Sequence, residues 1–337
     1  MNRIWKIIIL TIVVGLVFSV VAMGMGASRW VYWTFQGVHI VDTGDEKKIT
    51  ELNLARIENI EISADNSDIE FIQSDQYGVE ILIYSGDVQW GVENKKLSIS
   101  FGDQGGIRFF DLNLSFRYPR NSIKVYLPAD ALLSTVSVKT SAGNMKLGDF
   151  RAGDVWIKNS FGKLSVDSIA CNQLEIEMNA GDFTGKNLSV AKEIKYRNDF
   201  GSSKFEAVGA NDLNVQCSSG GIEMNRVTAA NVNVRNDFGN ITATDLTSLS
   251  ANIHARSGGI NVSGTFTGQT VIHNNFGNIR FATSLSREDY TYDLSTDFGS
   301  VSVDDSRSGS SARGGNESAN SLKITNSSGG IQVYFGR

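Results

Sequence analysis

Three Asp-Phe-Gly triplets, at Asp199, Asp237 and Asp297, are the part of this chain that most invites a chemical reading. In a protein kinase such an aspartate holds magnesium. That chemistry also needs a Gly-rich loop over the phosphates, a strand lysine and a His-Arg-Asp loop, and the sequence offers no such set. The triplets belong instead to a larger pattern. Four residues before a recurring glycine stand Lys158, Arg197, Arg235 and His273, and two before it stand Ser160, Asp199, Asp237 and Asn275. Brought onto neighbouring turns of a coil, these become a basic column beside an acidic one, which could bind an anionic envelope polymer or a divalent cation. The plainer reading is mutual neutralisation as surface ion pairs, each worth under about 1 kcal/mol. Glycan hydrolysis would need two carboxylates flanking a cleft, one with a raised pKa. The carboxylates here are scattered or repeated, and three His and two Cys leave little for a metal site. The expectation is a protein that is not an enzyme, with no catalytic residue, no metal and no cofactor.

The elements that would carry these residues follow from the glycine. It recurs at 143, 162, 181, 201, 220, 239, 258, 277, 299 and 329, a spacing of 19 residues, once 20, then 22 and 30. Seven and five residues before it the chain is mostly apolar, as at Val155/Ile157 and Leu174/Ile176. Two and four after it the pattern returns, as at Leu164/Val166 and Ile222/Met224. Period-2 alternation on both sides predicts strands with one buried face. The change of parity across the glycine predicts a positive-φ turn there. Self-similarity at this period predicts an all-β chain folded as a β-solenoid, or single-stranded β-helix, in which each unit buries its apolar edge by stacking on the next.

A slower rhythm lies over the first. The residue before the glycine alternates small and aromatic, with Phe161, Phe200, Phe238 and Phe276 at every second unit. Three before it, Asn159, Asn198, Asn236 and Asn274 alternate with Met178, Cys217 and Ala255. Buried amides need partners. Two units (38 residues) per coil would stack asparagine on asparagine as an amide ladder, with the phenylalanines stacked beside it, and this is the expected arrangement. One 19-residue unit per coil, the commoner size among solenoids, is the alternative.

Residues 7–27 hold no charge and are long enough to span a bilayer as one helix. Arg3 and Lys6 precede them, which places the N-terminus in the cytoplasm and the rest outside. Trp5 on one side and Trp30 and Trp33 on the other read as interfacial anchors. A cleaved signal peptide is the rival reading, although its apolar region would exceed the usual ~7–15 residues. The organisation expected is a cytoplasmic tail and transmembrane anchor (1–28), an interfacial belt and spacer (29–56), a membrane-proximal cap with first irregular strands (57–135), and a regular solenoid (136–337) with a mobile loop, 304–321, thrown out of the stack. Strand-like runs within the cap fall at 57–63, 68–73, 79–84, 88–92, 97–101 and 122–127. A net charge of −5 with interspersed signs argues against nucleic acid as partner. Cys171 and Cys217 occupy different phases of the repeat and read as unpaired thiols.

The chain runs IKVYLPAD at 123–130 and then VSVKTSAGNMKL at 136–147. A strand ending in Leu-Pro, a strand leading into Ser-x-Gly, and serial Gly-Gly-Ile or Gly-Asn-Ile turns behind an N-terminal apolar helix resemble the bacterial putative-adhesin proteins of unknown function. The resemblance covers roughly 57–337 and rests on the repeat. It implies a β-solenoid facing away from the cytoplasm and transfers no functional residue. The function expected is a non-catalytic extracytoplasmic adhesin-like scaffold, held in the bacterial cell membrane by one span and binding an envelope polysaccharide or a protein partner. The alternatives are an accessory sensor of cell-envelope stress acting through a partner membrane protein and, further off, a glycan-active enzyme.

Overall fold

The structure is a computed structural model that describes residues 15, 29–34, 37–42, 47–84, 87–101, 120–315 and 318–337. The expected anchor, with Arg3, Lys6 and Trp5, lies outside these residues apart from Gly15, and nothing is described of the Trp30 and Trp33 side chains. Among the described residues no helix is long and apolar enough to cross a membrane.

The regular part consists of β9 (Leu132–Ala142), β10 (Met145–Phe161), β11 (Leu164–Ala180), β12 (Phe183–Phe200), β13 (Ser203–Ser219), β14 (Ile222–Phe238), β15 (Ile241–Ser257) and β16 (Ile260–Phe276). Each pairs with the next in parallel. Val155 lies beside Leu174, Leu174 beside Ile194, Ile194 beside Leu213 and Leu213 beside Val232. A residue and its counterpart one unit on are therefore neighbours all around the turn, which makes each 19-residue unit one complete coil. The side chains of this column are buried, and stacking them removes their apolar surface from water, the main term that holds a solenoid together.

This settles the size of the coil against the expected two-unit arrangement. Asn198 lies between Met178 and Cys217, and Phe200 between Ala180 and Ser219. Neither an asparagine ladder nor a phenylalanine stack forms through 159–276.

Two corners give the coil its shape. At the recurring glycine, Gly299 excepted, φ is strongly positive: Gly201, at +127°, has its Cβ position 2.1 Å from the carbonyl oxygen of Gly181 one coil below, so no side chain fits. Six residues on, a second positive-φ corner falls at Asp149, Ser168, Asn187, Ala207, Arg226 and Asp245, near φ +55° in each case. The apolar residue after it, such as Phe150 or Leu246, re-enters the core, as the sequence pattern predicts.

The irregular N-terminal part adds one further coil and a set of strands that cover it. A separate hairpin pairs β1 (Arg29–Thr34) with β2 (Gly37–Asp42), and β3 (Lys47–Leu52) follows, so strands occupy much of the stretch expected to be belt and spacer. The long β4 (Asn59–Ser74) joins two runs expected to be separate and forms a coil directly below β9, with Ile60 beside Val136. The chain then leaves the stack through β5 (Gly78–Ile83), β6 (Val88–Glu93), β7 (Lys96–Phe101) and β8 (Asn121–Pro128). β7 and β8 pair in parallel with the other edge of β4, while β6 and β5 cover them antiparallel and β3 pairs with β5.

The far end mirrors this scheme. After β17 (Ile279–Thr283) and a short 3-10 turn, β18 (Tyr290–Phe298) and β19 (Val301–Val303) form the outermost coil. β20 (Ser306–Arg307) and β21 (Ser311–Gly314) fold back on it, and β22 (Asn320–Ser328) and β23 (Ile331–Phe335) return to fill the coil between. The segment expected to be a mobile loop thus contributes two short strands, β20 and β21, and β21 covers the open edge of β18.

Candidate functional site

The residue just before each corner glycine faces out, and there the structure builds a row. In spatial order along the stack it reads Ala142, Phe161, Ala180, Phe200, Ser219, Phe238, Ser257, Phe276, Ser328, Phe298. The five phenylalanines are 60, 62, 54, 60 and 79% exposed. Large and small alternate strictly, one per coil. At the C-terminal end they alternate in space although not in sequence, because the Ser328 coil inserts between those of Phe276 and Phe298. With adjacent strands about 4.8 Å apart, the rings stand about 9.6 Å apart. Their ordered frame is the glycine corner itself, where Gly201 N–H donates to the Ser219 carbonyl 3.0 Å away, and its counterparts do likewise.

The buried asparagines have a different task from the expected ladder. Asn236 Nδ2 donates to the carbonyl oxygens of Gly220 (2.9 Å) and Gly239 (3.0 Å), and Asn274 Nδ2 to those of Gly258 and Gly277. Asn159 and Asn198 reach Gly143 and Gly181. One amide can serve the corner carbonyls of its own coil and the coil below, which is why Met178, Cys217 or Ala255 suffices between them. The amide oxygens meet no protein donor.

The charged residues singled out in the sequence share this flank of the coil but do not form continuous columns. In register, Lys158, Glu177, Arg197, Gln216, Arg235, His254 and His273 follow one another. Lys158 is bonded to Glu177 at 2.6 Å, Arg197 lies 3.4 Å from Asp199 and Arg235 3.6 Å from Asp237. His273 is held by Thr325 and Asn275 at 2.7 and 2.9 Å. Its ring lies 4.9 Å from that of His254. Burial first, then the neighbouring His273 and Arg235, hold His254 below the usual imidazole range. The Asp199 and Asp237 side chains are partly buried while their arginines stand mostly in solvent, so each pair contributes little on its own.

Both cysteines are free and buried. Desolvation pushes the Cys171 thiol up to about 12 and that of Cys217 up to about 11, so neither is a nucleophile at neutral pH. Cys217 sits against Ser203 Oγ, which also meets the Tyr196 hydroxyl at 2.8 Å. That explains why Ser203 stands in an otherwise apolar column. Among the described residues no cluster of three or more His, Cys, Asp or Glu side chains is placed to hold a metal.

The phenylalanine row was visible in the sequence as a period but not as a surface. The clue was its neighbours: a polar residue before each phenylalanine and a glycine after it leave no second apolar position to pack against.

Residues 57–334 match the Toastrack DUF4097 family, and the chain belongs to it. This agrees with the resemblance carried by the Leu-Pro strand and the glycine turns. No curated protein is similar enough to match. Among solved structures, a putative adhesin from Bacteroides fragilis is 14% identical, with 85% of this chain and 97% of that one covered and a TM-score of 0.34. A putative adhesin from Parabacteroides distasonis is 12% identical (86% and 98% covered, TM-score 0.39). A putative lipid binding protein from the same organism is 14% identical (85% and 96% covered, TM-score 0.39).

Proposed function

We propose that this Toastrack chain is a non-catalytic, adhesin-like scaffold, held outside the cytoplasm by one membrane span, that grips a macromolecular partner along its phenylalanine corner. The observation that supports this is the row itself. Five large apolar side chains are held in water on a backbone whose corner is fixed by glycine stacking and asparagine bonds. Exposed apolar surface on a rigid frame marks an interaction site, and aromatic rings that need no reordering give contact area at low entropic cost. The charged flank is already paired within the chain, so it contributes solubility and orientation rather than the main attraction.

The test is retention of the full-length chain on purified envelope material, with polymer and protein fractions assayed separately. Phe200→Ser with Phe238→Ser should lower retention at least fivefold, while Arg197→Ser with Arg235→Ser should change it less than twofold. Equal retention of wild type and the phenylalanine variant would remove the basis of this reading.

A further inference from the structure

The alternation in the row asks for an explanation that general stickiness does not supply, since a sticky edge would gain from a phenylalanine on every coil. We infer that the row is a self-complementary zipper, and that its occupant is a second copy of this chain, running antiparallel and set so that each phenylalanine enters the small-residue slot of the other. The inference rests on the reading of the row as the binding surface and names the partner.

Three observations carry it. The row has ten positions, beginning with a small residue, Ala142, and ending with a phenylalanine, Phe298. Such a row maps onto its own complement under a two-fold axis through its centre. Phe200 then faces Ser257 of the second copy, Phe238 faces Ser219, and Phe298 faces Ala142, so that all five knobs meet all five slots. Beyond Ala142 the next coil carries Asn66, and the pattern stops where the pairing would stop.

The spacing fits as well. A ring placed midway between two others about 9.6 Å apart lies about 4.8 Å from each, inside the ~4.5–7 Å range of aromatic pairs. Phenylalanines burying roughly 150–250 Å² each, about three-fifths of which is exposed here, would give about 600 Å² per copy. The pair thus reaches about 1,200 Å² before slots and flanks are counted, the lower bound of a stable interface at about 1,200–2,000 Å².

Charge is the third observation. The antiparallel two-fold sets the flank two residues before the glycine against the same flank of the second copy. Asp199 then faces Arg256, Asp237 faces Ser218 and Asp297 faces Ser141, so no two carboxylates meet. Asp199 and Arg256 lie three coils apart within one chain, and the two-fold brings each opposite the other twice. A C2 pair of this kind is isologous and closed.

The experiment uses the full-length chain in mild detergent, with association followed by sedimentation and folding by circular dichroism. Wild type should be dimeric, and Phe200→Ser with Phe238→Ser should raise the dissociation constant at least tenfold. Ser219→Trp with Ser257→Trp adds aromatic area but fills two slots, and should weaken the dimer by a similar factor. A tighter dimer from the tryptophan variant would overturn the interleaved arrangement. Mixed copies carrying Phe200→Cys and Ser257→Cys should cross-link to each other, and cross-links formed only between like-substituted copies would overturn the antiparallel register. A monomeric wild type whose envelope retention still depends on Phe200 and Phe238 would overturn the second copy as occupant and leave the scaffold reading standing. A monomer whose retention ignores these residues would overturn both.

Discussion

Asn236 shows how a single side chain can set a two-coil period. Its amide donates to two corner carbonyls, Gly220 and Gly239, that the positive-φ turns aim into the core. Replacing it with Leu leaves both acceptors buried without that donor and should cost about 1–3 kcal/mol. Met178→Leu, at the same coil position one rhythm out of phase, conserves volume and should cost under about 1.5 kcal/mol. Urea melts of the two variants check the contrast, and equal losses would mean that the amide contributes packing alone. The sequence displays this asparagine rhythm plainly, yet the partner is hidden in it. A buried amide is satisfied equally by a like amide or by a backbone carbonyl, and spacing along the chain does not distinguish the two. The same ambiguity put the phenylalanines inside a stack, although their place next to a glycine corner turns them outward. Charged positions were legible as a face, but the residues between them, Glu177 and Gln216 above all, are what break the columns.

At the scale of elements, strands and their inward faces could be read almost directly, because alternation of apolar and polar residues has only one structural meaning over such short runs. What the sequence withheld was chain order at the two ends. The coil ending at Phe298 precedes the one ending at Ser328 along the chain but lies outside it, and only the long spacing from Gly299 to Gly329 signals the detour. Both ends solve the same problem. A parallel stack exposes a strand edge at each terminus, an invitation to pair with another chain. β6 covers β7 at one end, and β21 covers β18 at the other. Replacing 306–314 with a Gly-Ser run of equal length should uncover β18 and cause concentration-dependent growth beyond the dimer, seen as higher species in sedimentation. A size distribution identical to wild type would show that β20 and β21 do not protect the edge.

For the whole molecule, the direction of the zipper decides where it can act. The row spans nine coil steps, about 43 Å, and an antiparallel pair places the two N-terminal ends at opposite ends of it. In the proposed single-span arrangement, copies standing upright in one bilayer are parallel to each other. A parallel pair interleaves only after sliding by one coil, which leaves a terminal knob and slot unmatched and a contact that does not close. Copies standing out from two facing bilayers meet antiparallel and in full register, so the proposed pair joins membranes more readily than neighbours within one. Vesicles carrying the full-length chain should therefore cluster, with light scattering rising with protein density, and vesicles carrying Phe200→Ser with Phe238→Ser should stay dispersed. Because the attraction is apolar rather than ionic, added salt should leave the clustering nearly unchanged, whereas screening would dissolve clusters held by the charged flank. Wild-type dimers that form within single vesicles without clustering them would instead place the paired solenoids flat along one membrane.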